Sequence, residues 1–423
     1  MNDREKPKIC IPLVDRTKEE ILETAMYYTT LSADMVEWRV DFYEKIDDLQ
    51  SIVALAKELK EIIREKGKKE LLITFRTEVE GGEPITGKVE NPARYYADFL
   101  KRMVAEKVCD YLDIELKRFE LTGLLPREEF RELLETAKGS GMKVIGSYHN
   151  FTKTPSQYDI VAILGRMNFM GFSIGKVAVM PQKPEDVEEL LLATEEITRI
   201  FPDFPLITMA MGELGRDSRL YGHLFGSSVT FACAGKASAP GQVDIETVEK
   251  ALAFGDKGRR HIILIGFMGT GKSTVSELLK KLSGREEIDT DRYIEKMQGK
   301  KIKDIFAEEG EEAFRQMETD MINELEDMED GIVSCGGGMA LRSINVKKLK
   351  QVGRIILLTA KPETVYERVK DSTDRPILNG NMNVEFIREL MEKRYPFYER
   401  AATFIIETDK LKPKKIAKAI LKL

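Results

Sequence analysis

The sequence predicts an α/β protein built from two units: a (β/α)8 TIM barrel, followed by a P-loop α/β domain with a parallel sheet. Three observations predict this fold. Short strand-like runs alternate with helical patterns over about the first 250 residues, which is the usual length of a barrel. The pattern then restarts near residue 260. A glycine-rich loop between a strand and a helix follows directly after the restart.

The barrel is predicted from eight apolar runs that are rich in Val, Ile and Phe. Between them, apolar residues return every three or four positions, as is typical of amphipathic helices. Eight strand and helix alternations are the number expected of a (β/α)8 barrel, although an open doubly wound sheet would show the same periodicity. The runs are KICIPLV, MVEWRVD, ELLITFR, YLDIEL, KVIGSYH, FSIGKVAVM, PLITMAM and VTFACA.

A domain boundary is predicted at the charged, turn-forming stretch from Gly255 to Arg260. The first unit is therefore assigned to residues 1–255 and the second to residues 260–423. In the second unit the pattern predicts a strand at His261 to Ile265, a helix from Lys272, strands at Ile332 to Cys335 and Arg354 to Leu358, a polar loop around Ser372 to Asn383, and a terminal strand and helix.

Composition and charge exclude several functional classes. The chain has 66 Lys and Arg against 72 Asp and Glu, a net charge of −6, so no overall basic field would hold nucleic acid or an anionic membrane. Its 4 Cys and 3 His are scattered, which disfavours a disulfide framework or a structural zinc site. Apolar runs fall short of the ~18 residues that span a membrane, and no signal segment is recognised. We expect a cytoplasmic protein.

A phosphate-binding loop is predicted at the start of the second unit. Residues Gly266 to Ser273 match GxxxxGK[ST], in which backbone N–H groups close around phosphate oxygens at the positive end of a helix. The strand before and the helix after disfavour a chance glycine-rich turn. Lys272 is expected to contact the β- and γ-phosphates of ATP, and Ser273 to bind Mg²⁺. The other ATP-binding positions of the loop are Gly269, Thr270, Gly271 and Thr274.

Charged residues and glycines around this loop indicate the phosphate acceptor. Taken singly, they could be a solvated turn, an i, i+3 surface pair or a loop charge. Occurring together in this order, they make the second unit resemble shikimate kinase over its whole length. The residues are Asp289 and Asp291 in IDTD, Arg315 and Glu318 in FRQME, the triplet Gly336 to Gly338, Arg375 before Pro376, and Arg394 in KRYPFY.

The resemblance to shikimate kinase implies how the acceptor is bound. Asp291 would orient the attacking hydroxyl. Arg315 and Arg394 would bind the substrate carboxylate, since two guanidinium forks suit a planar carboxylate. Glu318 would orient Arg315, and the Gly337 backbone would approach the substrate ring.

The same resemblance implies the nucleotide contacts. Asp289 would hold the magnesium shell. Arg375 is the candidate for a mobile arginine that neutralises charge on the transferred phosphoryl group, and Arg368 is a candidate for stacking on adenine.

Polar side chains also collect at the predicted carboxyl ends of the barrel strands, where barrel active sites form. Lys176 near His149 suggests a covalent amine nucleophile with an acid/base partner, and three arginines suggest an anionic, hydroxyl-rich substrate. Alone, Lys176 could be a rim lysine and His149 a satisfied core histidine. The residues are Glu37, Arg39, Arg76, Glu80, His149, Lys176, Arg219 and, in the SAPGQ segment, Ser238 and Gln242.

At EWRVDF, TFRTEVEGGE, SYHNF, GKVAVM, GELGRDSR and SAPGQ the first unit resembles type I 3-dehydroquinate dehydratase, over roughly Lys8 to Phe254. The resemblance implies that Lys176 forms the Schiff base, that His149 transfers the proton and that Glu80 supports this histidine. Glu37 and Arg39 could instead form a structural ion pair at the rim. The implied substrate contacts are Glu37, Arg39 and Arg76 to hydroxyl groups, and Arg219, Ser238 and Gln242 to the carboxylate.

The chemistry gives a reason for these residue types. An amine that attacks a ring ketone forms an iminium, which acidifies the adjacent C–H bond so that His149 can remove the proton. The resulting enamine expels the β-hydroxyl, to which the protonated imidazole supplies a proton. Some of the Lys176 amine must be neutral, and we expect burial and nearby arginine charge to favour that form.

Both resemblances together predict a bifunctional enzyme that dehydrates 3-dehydroquinate to 3-dehydroshikimate and phosphorylates shikimate with ATP. ATP and Mg²⁺ are expected for the kinase domain and no cofactor for the dehydratase domain; a homodimer through the barrel is expected by analogy only. Two alternatives remain: a class I aldolase-like barrel joined to another small-molecule P-loop kinase, and a fusion in which one site has decayed into a regulatory module.

Overall fold

The computed structural model describes residues 6–85, 87–117, 125–235, 241–370 and 383–423. The chain forms two compact units, Met1–Leu252 and Ala253–Leu423. Among the described residues, none of the helices combines the length and the apolar character needed to span a bilayer.

The first unit is a closed parallel barrel. Its strands follow the order β7-β6-β5-β4-β3-β2-β1-β8-β9. The sheet closes where Leu206 bridges Ser227 and the Ser228 N–H donates to the Leu206 carbonyl at 2.7 Å. The strands are β1 (Lys8–Leu13), β2 (Met35–Arg39), β3 (Glu70–Thr74), β4 (Tyr111–Glu115), β5 (Lys143–Asn150), β6 (Ile174–Val179), β7 (Leu206–Ala210), β8 (Val229–Cys233) and the short β9 (Val243–Asp244). All eight predicted strands, and the barrel, are confirmed.

Helices surround this barrel and bury their apolar faces against it. Helix α1 begins with a capping box, in which Thr17 and Glu20 satisfy each other's backbone N–H groups. Asp48, Asn91 and Ser156 cap the starts of three other helices. The helices are α1 (Lys18–Tyr28), α2 (Leu49–Glu61), α3 (Pro92–Glu106), α4 (Arg127–Gly139), α5 (Gln157–Met170), α6 (Pro184–Ile200), α7 (Arg216–Tyr221) and α8 (Ile245–Leu252).

The barrel interior divides into an apolar part and a charged part. Apolar side chains such as Cys10, Met35, Leu72 and Ile145 form its buried cluster. The carboxyl ends of β2 to β6 instead carry buried polar residues. Because these strands are parallel, their carboxyl ends lie at the same end of the barrel. Side chains alternate along each strand, so every second residue there points into the interior.

The second unit is a five-stranded parallel sheet with helices around it, in the order β11-β12-β10-β13-β14. Its strands are β10 (His261–Ile265), β11 (Glu286–Asp289), β12 (Gly331–Ser334), β13 (Gly353–Thr359) and β14 (Phe404–Glu407). Its helices are α9 (Lys272–Ser283), α10 (Thr290–Gln298), α11 (Ile302–Glu308), α12 (Gly310–Glu324), α13 (Ser343–Val352), α14 (Pro362–Val369), α15 (Val384–Ala401) and α16 (Pro413–Ile420).

This sheet agrees with the predicted one except at one edge. The sequence did not predict β11, because its residues EEID are mostly charged and show no apolar run. As an edge strand it needs one neighbour only, and it pairs with β12 from Glu286 to Asp289. Most of the predicted polar loop around Ser372 to Asn383 lies outside the described residues.

A buried histidine joins the central strand β10 to the start of β12. His261 is 1% exposed. One of its ring nitrogens bonds a backbone carbonyl and the other bonds a backbone N–H. Nε2 lies 2.9 Å from the Leu325 carbonyl, and Nδ1 lies 3.0 Å from the Gly331 N–H. Only the neutral ring can donate at Nε2 and accept at Nδ1. Burial lowers the pKa of His261.

His261→Ala should destabilise the second unit by about 1–3 kcal/mol, because it leaves buried backbone groups without partners. The unfolded chain binds a proton near pH 6.5 more readily than the folded chain does, so this contribution to stability is lost as the pH falls below that value. Calorimetric unfolding at several pH values measures the effect. The difference between wild type and variant should shrink towards about pH 5.

The single tryptophan, Trp38, lies in the first unit and provides the control, since its fluorescence transition should be the same in both proteins. A wild-type advantage that stays constant or grows on acidification would contradict the role given to the neutral ring.

Candidate active sites

Lys176 lies on β6 with its side chain inside the barrel, 4% exposed. Its Nζ is 3.4 Å from Asp113 Oδ2 and 3.5 Å from Glu37 Oε1. It also lies 4.6 Å from the centre of the Phe231 ring. The sequence led us to expect arginine charge around this amine, but two carboxylates contact it instead. The nearby arginines bind carboxylates rather than the amine: Arg76 binds Asp113, and Arg39 binds Asp41.

His149 lies on the adjacent strand β5, two residues beyond the position that pairs with Lys176. Its Nδ1 is 2.8 Å from Glu80 Oε2, which also accepts the backbone N–H of His149 at 3.1 Å. No described residue is hydrogen-bonded to Nε2. Burial lowers the pKa of His149 well below its ordinary value, and the charges of Arg76 and Lys176 lower it further.

Glu80 is completely buried at the end of a short turn, Glu78–Glu80. Burial raises the pKa of its carboxyl, with a further rise from Glu115 that Arg76 opposes. Its second oxygen, Oε1, has no hydrogen-bond partner among the described residues. Burial therefore disfavours a charge on either partner, so a proton between Glu80 Oε2 and His149 Nδ1 can be held by either group, which suits proton exchange.

Arg76 is the cation on which this end of the barrel is built. Its guanidinium is 2.9 Å from Asp113, 3.2 Å from Glu115 and 3.6 Å from Glu80. It also donates to Ser147 Oγ at 3.0 Å. Although burial opposes its charge, the surrounding carboxylates raise the pKa of Arg76 further above its usual range.

The sequence analysis did not identify Asp113, Glu115 and Ser147 as site residues. Asp113 and Glu115 lie in YLDIEL, a run whose apolar residues predict a core strand. Two acidic residues at alternate positions of an otherwise apolar run were the available signal, because such residues face one side of the strand. Unpaired, they would be costly to bury, so they imply a buried cation.

Glu37 and Arg39 do not pair with each other, so the alternative of a Glu37–Arg39 rim ion pair is wrong. Arg39 binds Asp41 in a two-pronged contact, from Nε to Oδ1 at 2.8 Å and from Nη2 to Oδ2 at 2.7 Å. Glu37 Oε1 instead accepts the Thr74 hydroxyl at 2.8 Å and faces Lys176.

The remaining barrel residues lie on the β7 and β8 side. Arg219, on α7, is 3% exposed and contacts Met209 of β7, and burial lowers its pKa to about 10. Gln242 precedes β9, which pairs with the end of β8. Ser238 lies outside the described residues.

In the second unit, the predicted phosphate loop connects β10 to α9. Gly266 and Gly271 have φ of +141° and +95°, which a side chain would disfavour. A Cβ at Gly266 would also lie 2.3 Å from the Leu358 carbonyl. Lys272 Nζ donates to the Gly266 carbonyl at 2.8 Å, and Thr270 Oγ1 donates to the Phe267 carbonyl at 2.7 Å. Ser273 and Thr274 are exposed in the first turn of α9.

The glycine triplet after β12 makes room for two charged side chains. A Cβ at Gly336 would lie 2.2 Å from Asp291 Oδ1, and one at Gly338 would lie 1.7 Å from Arg315 Nη1. At Gly337 the nearest atoms, on Arg394 and Tyr398, would be 3.8 Å away. Gly336 and Gly338 thus leave no space for a side chain, because Asp291 and Arg315 occupy it. Gly337, the residue predicted to approach the substrate ring, has free space where its side chain would be.

Arg315 and Glu318 form the predicted pair on α12. Arg315 Nη1 donates to Glu318 Oε2 at 2.7 Å, and Nη2 donates to Glu311 at 2.8 Å. Burial raises the pKa of Glu318 to about 7, with Arg315 opposing the rise and Asp291 adding to it. Glu318 Oε1 has no partner among the described residues.

One cleft of about 1550 Å³ brings the predicted kinase residues together. Arg368 at its edge donates to the Gly269 carbonyl at 3.1 Å, so it supports the phosphate loop from outside. Arg375 lies outside the described residues. The lining includes Gly269, Thr270, Gly271, Lys272, Ser273, Thr274, Asp289, Asp291, Arg315, Glu318, Gly337, Arg368 and Arg394.

Oxygen donors suited to Mg²⁺ lie in this cleft. Ser273 offers a hydroxyl, and Asp289 offers a carboxylate at the end of β11, where its Oδ1 accepts the Arg292 N–H at 3.1 Å. Within the described parts of the chain, no three His, Cys, Asp or Glu side chains cluster as a metal site. The donor set therefore fits a metal that is held partly by phosphate oxygens.

The two units match two different protein families. Residues 9–258 match the family model of type I 3-dehydroquinase. The 3-dehydroquinate dehydratase of Enterococcus faecalis is 41% identical over 246 residues, which cover 58% of this chain and 91% of that protein. A crystal structure of the type I enzyme from Clostridium difficile, modified covalently by comenic acid, superposes with a TM-score of 0.53 at 36% identity, covering 59% of this chain and 92% of that one.

Residues 268–423 match the family model of shikimate kinase. Shikimate kinase from Acinetobacter baumannii, solved with shikimate, is 35% identical and covers 39% of this chain and 92% of its own, with a TM-score of 0.37. The relationship of this unit rests on the family model rather than on that superposition.

Gly338→Ala should displace the Arg315 guanidinium. The φ of Gly338 is −95°, which alanine adopts freely, so the effect is steric rather than a matter of backbone strain. Loss of a charged hydrogen bond costs about 1.5–3 kcal/mol, and the KM for shikimate should therefore rise roughly tenfold or more. Initial rates at varied shikimate measure it.

Dehydratase activity of the same variant is the control and should not change. An unaltered KM for shikimate would show that Arg315 does not need the space beside Gly338.

Proposed function

We propose residue roles for both sites from the premise that the chain belongs to the type I 3-dehydroquinase family and carries a shikimate kinase domain in its second unit. It is a bifunctional enzyme of the shikimate pathway, with a 3-dehydroquinate dehydratase, a lyase, and a shikimate kinase, an ATP-dependent phosphotransferase. The observation that carries the dehydratase roles is the buried Lys176 amine beside a strand that holds the buried His149–Glu80 pair.

Lys176 is the nucleophile of the dehydration. Its neutral amine attacks the ring ketone, a C–N bond forms, and the ketone oxygen leaves as water to give an iminium. His149 Nε2 then takes the proton from the adjacent carbon, and the C–H electron pair moves towards nitrogen to give an enamine. The enamine expels the β-hydroxyl as that oxygen receives a proton from His149. Water finally releases the product and restores Lys176.

Glu80 prepares His149 for both proton transfers. With Nδ1–H donated to Glu80 Oε2, the lone pair of the ring lies on Nε2, as a base requires. The lowered pKa of His149 supports a neutral ring before reaction. The raised pKa of Glu80 lets the Nδ1 proton move towards Oε2 when Nε2 accepts one.

Substrate contacts are assigned to the polar residues that the family resemblance implies. Glu37, Arg39 and Arg76 face the hydroxyl groups. The carboxylate is bound by Arg219, Ser238 and Gln242. The burial of Arg39 and Arg219 supports these roles, because a desolvated guanidinium favours an anionic, hydroxyl-bearing ligand over bulk water.

In the kinase unit, Asp291 orients the attacking hydroxyl of shikimate towards the γ-phosphorus of ATP. A new O–P bond forms as the bond between the γ-phosphorus and the oxygen of the β-phosphate breaks, Asp291 accepts the hydroxyl proton, and ADP leaves. Arg315 and Arg394 bind the substrate carboxylate, and Glu318 fixes Arg315. Lys272, the phosphate-loop glycines, Arg368 and Arg375 serve ATP. The cleft that all of these residues except Arg375 line supports the assignment, and Arg375 lies outside the described residues.

Ser273 and Asp289 are the residues that would hold Mg²⁺, which would neutralise charge on the β- and γ-phosphates. We further propose residues 1–255 and 260–423 as the two functional domains, a homodimer formed through the barrel and a cytoplasmic location. All four cysteines are free thiols, which supports a reducing compartment.

Lys176→Ala should lower dehydratase turnover by about 10³-fold or more while shikimate phosphorylation continues, because it removes the covalent nucleophile. Lys272→Ala should give the reverse pattern. Each protein is assayed separately with 3-dehydroquinate and with shikimate plus MgATP, and each variant is the folding control of the other. If either substitution removed both activities, the proposed independence of the two sites would be wrong.

Removal of Mg²⁺ with a chelator should stop phosphorylation and leave dehydration unchanged, since the residues proposed to hold the metal, Ser273 and Asp289, lie in the kinase unit. Asp289→Asn should raise the Mg²⁺ concentration for half-maximal kinase rate by about tenfold or more. Titration of MgCl₂ into chelated protein measures both. A kinase rate that survives chelation, or an unchanged Mg²⁺ requirement in the variant, would reject the assigned metal ligands.

A further inference from the structure

We propose that Asp113 is a positioning residue of the dehydratase, which fixes the direction of the Lys176 side chain. This inference rests on the proposed role of Lys176 as the Schiff-base nucleophile. It gives a function to a buried carboxylate that the substrate contacts and the proton transfer do not use.

Both carboxylate oxygens of Asp113 are held by protein groups. Oδ1 accepts the Ser147 hydroxyl at 2.6 Å and lies 2.9 Å from Arg76 Nη2, while Oδ2 lies 3.4 Å from Lys176 Nζ. The residue is fully buried. A carboxylate with these partners has one orientation, so it acts through Lys176 rather than by contacting the substrate.

The strand register explains how the three strands meet. Ser147 of β5 lies opposite Lys176 of β6, and Glu115 of β4 lies opposite Ser147. Asp113, two residues earlier on β4, faces the same side of the sheet as Glu115. The Asp113 carboxylate therefore reaches past Ser147 to the lysine and uses the Ser147 hydroxyl as its support.

The charge of Asp113 distinguishes it from a passive spacer. Burial alone would raise its pKa, but Arg76 and Lys176 outweigh burial and lower it, so the group stays ionised. A charged oxygen 3.4 Å from Nζ holds the Lys176 side chain more firmly than a neutral group of the same size would. The other titratable groups that face Lys176 are Glu37 on β2, Cys10 on β1 and His149 on β5.

Glu37 also contacts Lys176, but its position is different. Glu37 holds the lysine and Thr74 through the same oxygen, Oε1, and no described contact is made by Oε2. A carboxylate with one oxygen uncommitted suits a substrate hydroxyl. When Glu37 binds substrate, Asp113 remains the carboxylate that keeps the amine in place.

The test compares Asp113→Asn with Glu115→Gln. Both remove one buried negative charge beside Arg76, but Glu115 contacts Arg76 and Thr77 and not Lys176. The rate of borohydride trapping with 3-dehydroquinate is measured against pH in the full-length protein, together with kcat and KM. The kinase activity of each variant reports that the rest of the chain is intact.

Asp113→Asn should lower the rate of trapping roughly tenfold or more at every pH measured, because the charged contact that directs Nζ is lost. Its kcat should fall roughly tenfold or more, with a smaller change in KM, as expected when a nucleophile is misdirected. Glu115→Gln should trap the substrate faster than Asp113→Asn does, because it leaves the contact between Asp113 and Lys176 in place.

An Asp113→Asn trapping rate that matches wild type, or the same loss of rate in both variants, would overturn the inference while leaving the Schiff-base assignment intact. Absence of trapping in the wild type would instead overturn the assignment on which it rests. If Asp113→Asn does not fold, Ser147→Ala provides the test. That variant removes the hydroxyl that supports Asp113, so it should trap substrate more slowly, and a wild-type rate would reject the role of Asp113.

Discussion

The dehydratase site depends on the burial of one guanidinium, that of Arg76, among three carboxylates from two segments of the chain. Asp113, Glu115 and Glu80 all lie within 3.6 Å of it, and all are inaccessible to water. Without the cation, Asp113 could not stay ionised inside the barrel. Asp113 also contacts Lys176 and Glu80 also contacts His149, so Arg76 links the two side chains that carry the proposed chemistry. The family resemblance also implies that Arg76 contacts a substrate hydroxyl. Arg76 would then both hold the carboxylates in place and bind the substrate.

The kinase site follows a related principle with different means. A buried Arg315–Glu318 pair supplies the charge, and the missing side chains of the glycine triplet supply the space. Gly338 admits Arg315, and Gly336 admits Asp291. The phosphate loop adds a third requirement, since Gly266 lies against the Leu358 carbonyl of the neighbouring strand. In both units, then, a small number of sterically or electrostatically fixed positions holds the reactive groups, while the surrounding sheet provides a rigid base.

The sequence predicted the eight barrel strands because each is an apolar run, and it missed β11 because a charged edge strand has no such pattern. Lys176, His149, Glu80 and the phosphate loop were recognised from motifs that combine residue type with position at a strand end. Asp113 and Glu115 were missed because their partner, Arg76, lies more than 30 residues away, and only the folded barrel brings them together. The choice between Glu37 and Asp41 as the partner of Arg39 likewise depends on the turn that follows β2, which periodicity does not specify.

The central claim is that one buried lysine becomes covalently bound to the keto acid while the second unit remains chemically unmodified. Peptide mass spectrometry of the full-length protein, reduced with borohydride in the presence of 3-dehydroquinate, tests this most directly. The account predicts a single adduct on the peptide that contains Lys176 and none on the peptide that contains Lys272. An adduct on another lysine, or no adduct while 3-dehydroquinate is still consumed, would contradict it.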